Sequence, residues 1–249
     1  LTEGHLELFK GFRVRAMGGK LREMVEDDPH DAHTLEGRMG MLIGAEASAR
    51  RERKVAELVK QARLKTPSAC VEDIVHLPDR KLSRDRIARY AECDWVEKCE
   101  VMVIISKTGG GKSHLCQALG NAACRKLIEV RHARLAGICE ELNRARAAAD
   151  GSYHELMDGL KTIPLLLVDD FMTTPITTQN AVDLFEIMEA RESLAATLIA
   201  SQLEPNEWYL RIEGELMADS ILSRIATGAR YIDLEGPNMR EYFARKRVG

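Results

Sequence analysis

Aromatic residues are scarce in this chain: phenylalanine, tryptophan and tyrosine together make up 5% of its 249 residues. A platform of aromatic rings for stacking unpaired bases is therefore not expected. Neither charge sign dominates. The net charge is -3 and the pI is near 6.2, so overall charge signals neither nucleic acid nor membrane, and any DNA contact must come from local basic patches. The six cysteines (Cys70, Cys93, Cys99, Cys116, Cys124, Cys139) form no C-x-x-C pair and no His/Cys cluster with metal spacing, which argues against a structural zinc. No apolar run approaches the roughly 20 residues that a bilayer span needs. The opening LTEGHLELFKGF lacks the charged-then-apolar layout of a secretion signal. The expectation is a cytoplasmic protein with reduced thiols and no membrane partner.

What is present is an ordinary core-forming composition, 45% apolar and 30% charged, long enough for one α/β domain and an appendage. Residues 1–65 read as a helical N-terminal domain. Leu42, Ile43, Ala45, Val55, Leu58 and Val59 recur at three- and four-residue steps among good helix formers. Pro29 in DDPHDAHT breaks the helical pattern, and Asp31 or Thr34 is placed to cap the next helix. Thr66-Pro67-Ser68 opens a linker with lead-in helices over 66–99. From residue 100 to 249 the texture changes: VMVII, EVRHA, PLLLVDD, ATLIAS and RYIDL alternate with helical stretches. That alternation predicts an α/β domain with a central five-stranded parallel sheet, helices on both faces and ligands at the strands' carboxyl ends.

One stretch carries chemistry directly. IISKTGGGKSHL, residues 104–115, follows an apolar strand and opens a helix, the context of a phosphate-binding loop. Gly109, Gly110 and Gly111 let backbone N–H groups converge on phosphate oxygens. Lys112 can reach terminal phosphates, the Ser113 hydroxyl can ligate Mg²⁺, and the helix N-terminus adds positive potential. Ser106, Lys107, Thr108 and His114 complete the segment, although Ser106 stands where G-x-x-x-x-G-K-[ST] has glycine. A serine there costs little at negative φ and on the order of 1 kcal/mol at positive φ. His114 reads as a first-turn packing or capping residue. A phosphate loop requires an acidic partner, and IPLLLVDD supplies it: Asp169, just past a buried strand, for the Mg²⁺ shell and Asp170 to polarise the attacking water.

KTGGGKSHL, LLLVDDF, SQLEPNEWY and SILSRIATGARYIDLEGPNMR, in that order, resemble the IstB/DnaC-like ATPases of the AAA+ class, closest to IstB-type insertion-sequence transposition helpers. The resemblance covers essentially the whole chain and implies an AAA+ P-loop domain preceded by a small all-helical N-terminal domain. It implies ATP and Mg²⁺ as ligands and slow hydrolysis, with Lys112, Asp170, Gln202 and Arg224 catalytic. Ser201 or Gln202 matches the position that orients water against the γ-phosphate. Arg224, in LSRI, matches the arginine that acts on a neighbour's ATP, and Arg240, in GPNMR, matches a terminal arginine with a role in γ-phosphate sensing. The implied partners are duplex DNA, a transposase and further copies of the chain in an ATP-dependent homo-oligomer. A DnaC-like helicase loader is the first rival, and a small-molecule kinase on the same loop is the second.

Basic clusters give candidate DNA contacts: Arg50, Arg51, Arg53 and Lys54 on a helix of the front domain, and Arg131 and Arg134 around the second strand, with Arg144 and Arg146 nearby. Such runs are equally compatible with solvated faces.

Overall fold

The computed structural model describes residues 2–27 and 34–248. Pro29 and Asp31 lie outside the described residues. The chain divides into two compact units, Leu1–Glu57 and Leu58–Gly249.

The first unit contains α1 (Glu3–Gly11), α2 (Arg15–Asp27) and most of α3 (Leu35–Gln61). Thr34 caps α3, its hydroxyl accepting from the Gly37 N–H at 3.2 Å. Helices α1 and α2 approach closely because Gly18 has no side chain: a Cβ there would stand 2.8 Å from that of Phe9. Glu46, buried on α3, accepts from the Ala16 N–H at 3.0 Å in the first turn of α2, where a carboxylate complements the helix dipole. The expected apolar stripe of α3 is only partly buried: Leu42 is covered, whereas Ile43 is 55% exposed.

In the second unit β1 (Val101–Ile105), β2 (Val130–Arg134), β3 (Leu165–Phe171), β4 (Ala196–Ser201) and β5 (Arg230–Asp233) form one sheet in the order β2-β3-β4-β1-β5. Each pairing is parallel. Successive strand residues face opposite ways, so Met102 and Ile104 enter one apolar layer while Val103 and Ile105 enter the other. Both layers are covered, which is why β1 and most of β3 and β4 read as apolar runs, while the edge strands β2 (VRHAR) and β5 (RYID) carry polar residues.

The first layer is closed by α6 (Lys112–Arg125), with α4 (Arg84–Ala91) and α5 (Asp94–Glu97) from the lead-in segment. Leu115 and Leu119 of α6 pack there with Ile87, Tyr90 and Trp95. The second layer is closed by α7 (Leu135–Ala148), α8 (Ser152–Thr162), α9 (Thr178–Arg191), α10 (Pro205–Tyr209) and α11 (Glu215–Ala226). Helix α12 (Met239–Val248) ends the chain.

One strand differs from expectation. Instead of ending before the acid pair, β3 runs through it to Phe171. The ladder is held past the pair because Phe171 pairs with Ser201, after a register shift following Val168, and its ring meets Trp208 edge-on at 4.8 Å. The irregularity puts Asp170 at φ 49°, a left-handed geometry that costs a non-glycine residue roughly 1–2 kcal/mol.

Candidate nucleotide site

The loop between β1 and α6 leaves the carboxyl end of the strand and turns through Gly109 (φ 83°) and Gly111 (φ 95°), geometry that favours glycine. Gly110 is constrained differently. A Cβ on it would lie 1.8 Å from the Ser106 hydroxyl. Ser106 is buried and is absent from the positive-φ residues, so serine sits at this position without backbone strain. Its side chain occupies space that Gly110 leaves vacant. Among the described residues the Gly111 and Lys112 N–H groups donate to no backbone carbonyl, and together with the α6 N-terminus they form a nest for anionic oxygens.

The acid end of β3 meets this loop. The Ser113 hydroxyl donates to Asp169 Oδ1 at 3.1 Å, and Lys112 Nζ stands 3.9 Å from Asp170 Oδ1. Burial pushes the Asp169 carboxyl toward protonation, but the His132 ring, the Ser113 hydroxyl and the Asp170 N–H outweigh it and hold its pKa below the ordinary value. Asp169 is therefore an anion at neutral pH. Among the described residues no group of three or more His, Cys, Asp or Glu side chains converges on a metal position. One hydroxyl beside one buried carboxylate suits Mg²⁺, which keeps waters and takes phosphate oxygens rather than sitting in an all-protein cage. Ser113 and Asp169 would hold it, and when bound it would neutralise charge on the phosphates.

The strand end next door also reaches the loop: the Thr108 hydroxyl donates to Gln202 Oε1 at 2.6 Å. Gln202 is thus at the phosphate loop. Ser201 is not free to act there. It is fully buried, donates to the Phe171 carbonyl at 2.9 Å, and accepts from Trp208 Nε1 at 2.9 Å and the Leu203 N–H at 3.0 Å. Its hydroxyl shapes the β4 end instead of meeting a ligand.

Beside the loop lies a largely apolar cavity of about 250 Å³, lined among others by Ile74, Val75, His114, Leu115, Met239 and Phe243. Its walls come from the lead-in segment, the first turn of α6 and α12, and it is adjacent to Gly111. The position suits a flat heterocycle whose phosphates lie over the loop. Desolvation lowers the His114 pKa, so a neutral ring lines the wall, in keeping with a packing role. Two residues at this site carry no sequence motif. Arg80, 4% exposed, donates to the Gly110 carbonyl at 2.7 Å. His132 on β2 brings Nε2 to 3.8 Å from Asp169 Oδ2.

Other expected site residues are placed apart. Arg224 on α11 pairs with Glu189 at 2.9 Å and lies 4.4 Å over the Phe185 ring. It borders a cleft with Val101 and Thr197, at the amino ends of β1 and β4. That is the opposite edge of the sheet from its own phosphate loop, so it cannot serve that loop in cis. Arg240 is exposed in the first turn of α12, next to Met239, whose N–H donates to the Gly109 carbonyl at 2.8 Å. Of the DNA candidates, Arg50 and Arg53 pair with Glu46 at 2.9 and 3.3 Å, Lys54 with Glu57 at 3.8 Å and Arg131 with Glu141 at 2.5 Å. Arg51 and Arg134 are exposed, and Arg146 is tied bidentately to buried Asp183 at 2.6 and 2.7 Å.

The family model described as IstB-like ATP binding protein matches residues 8–247. An insertion sequence ATP-binding protein of Sinorhizobium fredii is 35% identical over 99% of both chains. One of Mycobacterium tuberculosis is 29% identical over 92% of both. Among solved structures, AMPPCP-bound DnaA from Aquifex aeolicus superposes with a TM-score of 0.60 at 19% identity, covering 75% of this chain and 56% of that one. The DnaC helicase loader gives 0.57 at 15% identity, covering 67% and 97%. These two share the AAA+ P-loop fold with the second unit's sheet. By the match over nearly its whole length, the chain belongs to the IstB-like ATP binding protein family.

Proposed function

We propose that this chain is an ATP-dependent, DNA-binding AAA+ regulator that oligomerises on duplex DNA and assists a transposase in target selection. The observation that carries the reading is the division of parts within one chain. The phosphate loop, Ser113, Asp169 and Gln202 converge at one edge of the sheet, while Arg224 sits at the other. A site built this way is completed by a second copy, so that bound ATP joins subunits. Insertion-sequence relatives matching over almost their full length support the transposition branch.

In the assembled state Lys112 binds the terminal phosphates, Asp170 polarises the attacking water and a neighbour's Arg224 stabilises transition-state charge. Loss of the γ-phosphate on hydrolysis to ADP and phosphate then weakens the subunit interface and releases the assembly. DNA contact is chiefly to the backbone. In the first unit Arg50, Arg53 and Lys54 exchange carboxylate partners for phosphates beside Arg51; in the second unit Arg131 does so beside Arg134, and binding is salt-sensitive and weakly sequence-specific.

The test is sizing by light scattering with a non-hydrolysable ATP analogue, with and without duplex DNA. Analogue and DNA together are expected to produce a high-order assembly that Lys112→Ala abolishes. A chain that stays monomeric under both ligands overturns the reading. Assembly that requires a replicative helicase instead of DNA favours a loader.

A further inference from the structure

Arg80 is buried to within 4% of full coverage, yet among the described residues its charge has no acidic partner within ion-pair distance. Asp73, which lines the same cavity, makes no ion pair with it, and burial lowers its pKa. Arginine nevertheless stays protonated at neutral pH. Isolated buried cations are costly, and proteins retain them where something compensates.

The guanidinium spends its donors on backbone. Nη1 donates to the Val75 carbonyl at 2.7 Å, and Nη2 donates to the Gly110 carbonyl at 2.7 Å. Nε is buried with no partner. Two glycines make room for the side chain. A Cβ on Gly111 would stand 2.9 Å from Nη2, and one on Gly236 would stand 2.9 Å from Cγ. Three segments distant in sequence therefore meet on one side chain: the lead-in turn Pro78–Arg80, the phosphate loop and the segment before α12.

The bond to Gly110 has a geometric consequence. In a trans peptide the C=O and the following N–H point in opposite directions. Holding the Gly110 carbonyl toward Arg80 turns the Gly111 N–H away from it, and that N–H has no backbone acceptor among the described residues. The same side chain thus sets the orientation of one phosphate-binding donor and brings an uncompensated positive charge to the back of the loop.

We propose that Arg80 is a positioning residue for the phosphate loop, and that the polyphosphate of the bound nucleotide is the counter-charge the described residues do not supply by an ion pair. This rests on the reading of the loop as an ATP site and extends it to a residue outside the motif. Fixed donors aimed at a charge and backed by a cation need no reorganisation when the charge arrives. An exposed arginine would be screened by water, whereas this one is not.

The test is calorimetric titration of the full chain with ATP and with inorganic triphosphate, which has no base. The proteins compared are the wild type, Arg80→Met, Arg80→Lys and Lys112→Ala. Arg80→Met is expected to weaken both ligands by a similar factor of ten or more, because the loss lies in the phosphates. Arg80→Lys keeps charge and volume but loses the fork, and is expected to recover part of both affinities. A loss confined to ATP, with triphosphate binding unchanged, would mean that Arg80 serves only the adjoining cavity and would overturn the proposal. Should Arg80→Met fail to fold, Arg80→Gln, which keeps amide donors for the carbonyls but removes the charge, takes its place, and wild-type affinity for both ligands in that variant would overturn the proposal. The underlying ATP reading fails separately, and is recognised by a wild-type chain that binds neither ligand.

Discussion

At the scale of single residues, the departure at Ser106 is answered by its neighbour at position 110. The strain penalty expected for a misplaced serine applies only at positive φ, and Ser106 is not there. Gly110 is also absent from the positive-φ residues, so its backbone alone would admit alanine. What forbids a Cβ first is the Ser106 hydroxyl, 1.8 Å away. A double-mutant cycle measures this directly. Gly110→Ala should lower ATP affinity at least tenfold, while Ser106→Gly alone should leave it equal or better. The pair together should regain most of the loss, the Lys107 carbonyl at 3.2 Å remaining as the residual obstacle. Additive effects of the two substitutions would show that the contact does not govern the loop. The motif residues Lys112, Ser113 and Asp169 were legible because a phosphate loop imposes residue types at fixed spacing. Arg80 and His132 were not: they act on a backbone carbonyl and a carboxylate far away in sequence, and no local pattern marks them.

At the scale of elements, the alternation of strands and helices exposed the five strands, most plainly the three central ones, since doubly covered strands must be apolar on both faces. Ends were harder to read. The strand β3 was expected to stop before its acids, but tertiary pairing of Phe171 with Ser201 carries it on. A second buried arginine, Arg191, shows how such junctions are held. It donates to Thr197 Oγ1 at 2.9 Å, to the Leu160 and Ile163 carbonyls at 2.8 Å each, and to the Ala196 carbonyl. It thereby satisfies carbonyls in and just beyond the last turn of α8, where helices run out of internal donors, and binds that end to the start of β4. Burial pushes its pKa down to about 10, which leaves it cationic at pH 7. Arg191→Met should cost about 3 kcal/mol or more of stability, because several buried carbonyls lose their donor together. Urea unfolding gives the number, and a cost under about 1 kcal/mol would mean that water replaces the guanidinium freely.

At the scale of the whole molecule, the proposed division of the site between two edges of one sheet makes a prediction that no intact monomeric enzyme would share. Lys112 and Arg224 belong to the same chain but, in the proposed assembly, to different active sites. Lys112→Ala should lose nucleotide binding and hydrolysis. Arg224→Ala should bind ATP with near wild-type affinity yet hydrolyse it at least about a hundredfold more slowly, given the rate contribution of a trans arginine. Mixing the two inactive variants in the presence of duplex DNA restores complete sites wherever an Arg224→Ala subunit, with its intact phosphate loop, receives Arg224 from a Lys112→Ala neighbour. Because Lys112→Ala subunits bring no ATP and join only by donating Arg224 to an ATP-loaded neighbour, turnover should rise well above that of either variant alone while staying below the wild-type value. The recovery should vanish on dilution below the assembly threshold, because the interface depends on concentration. A mixture no more active than its components would place Arg224 in its own chain's fold, held by Glu189 and Phe185 as in the isolated subunit, and would remove the shared site from the mechanism.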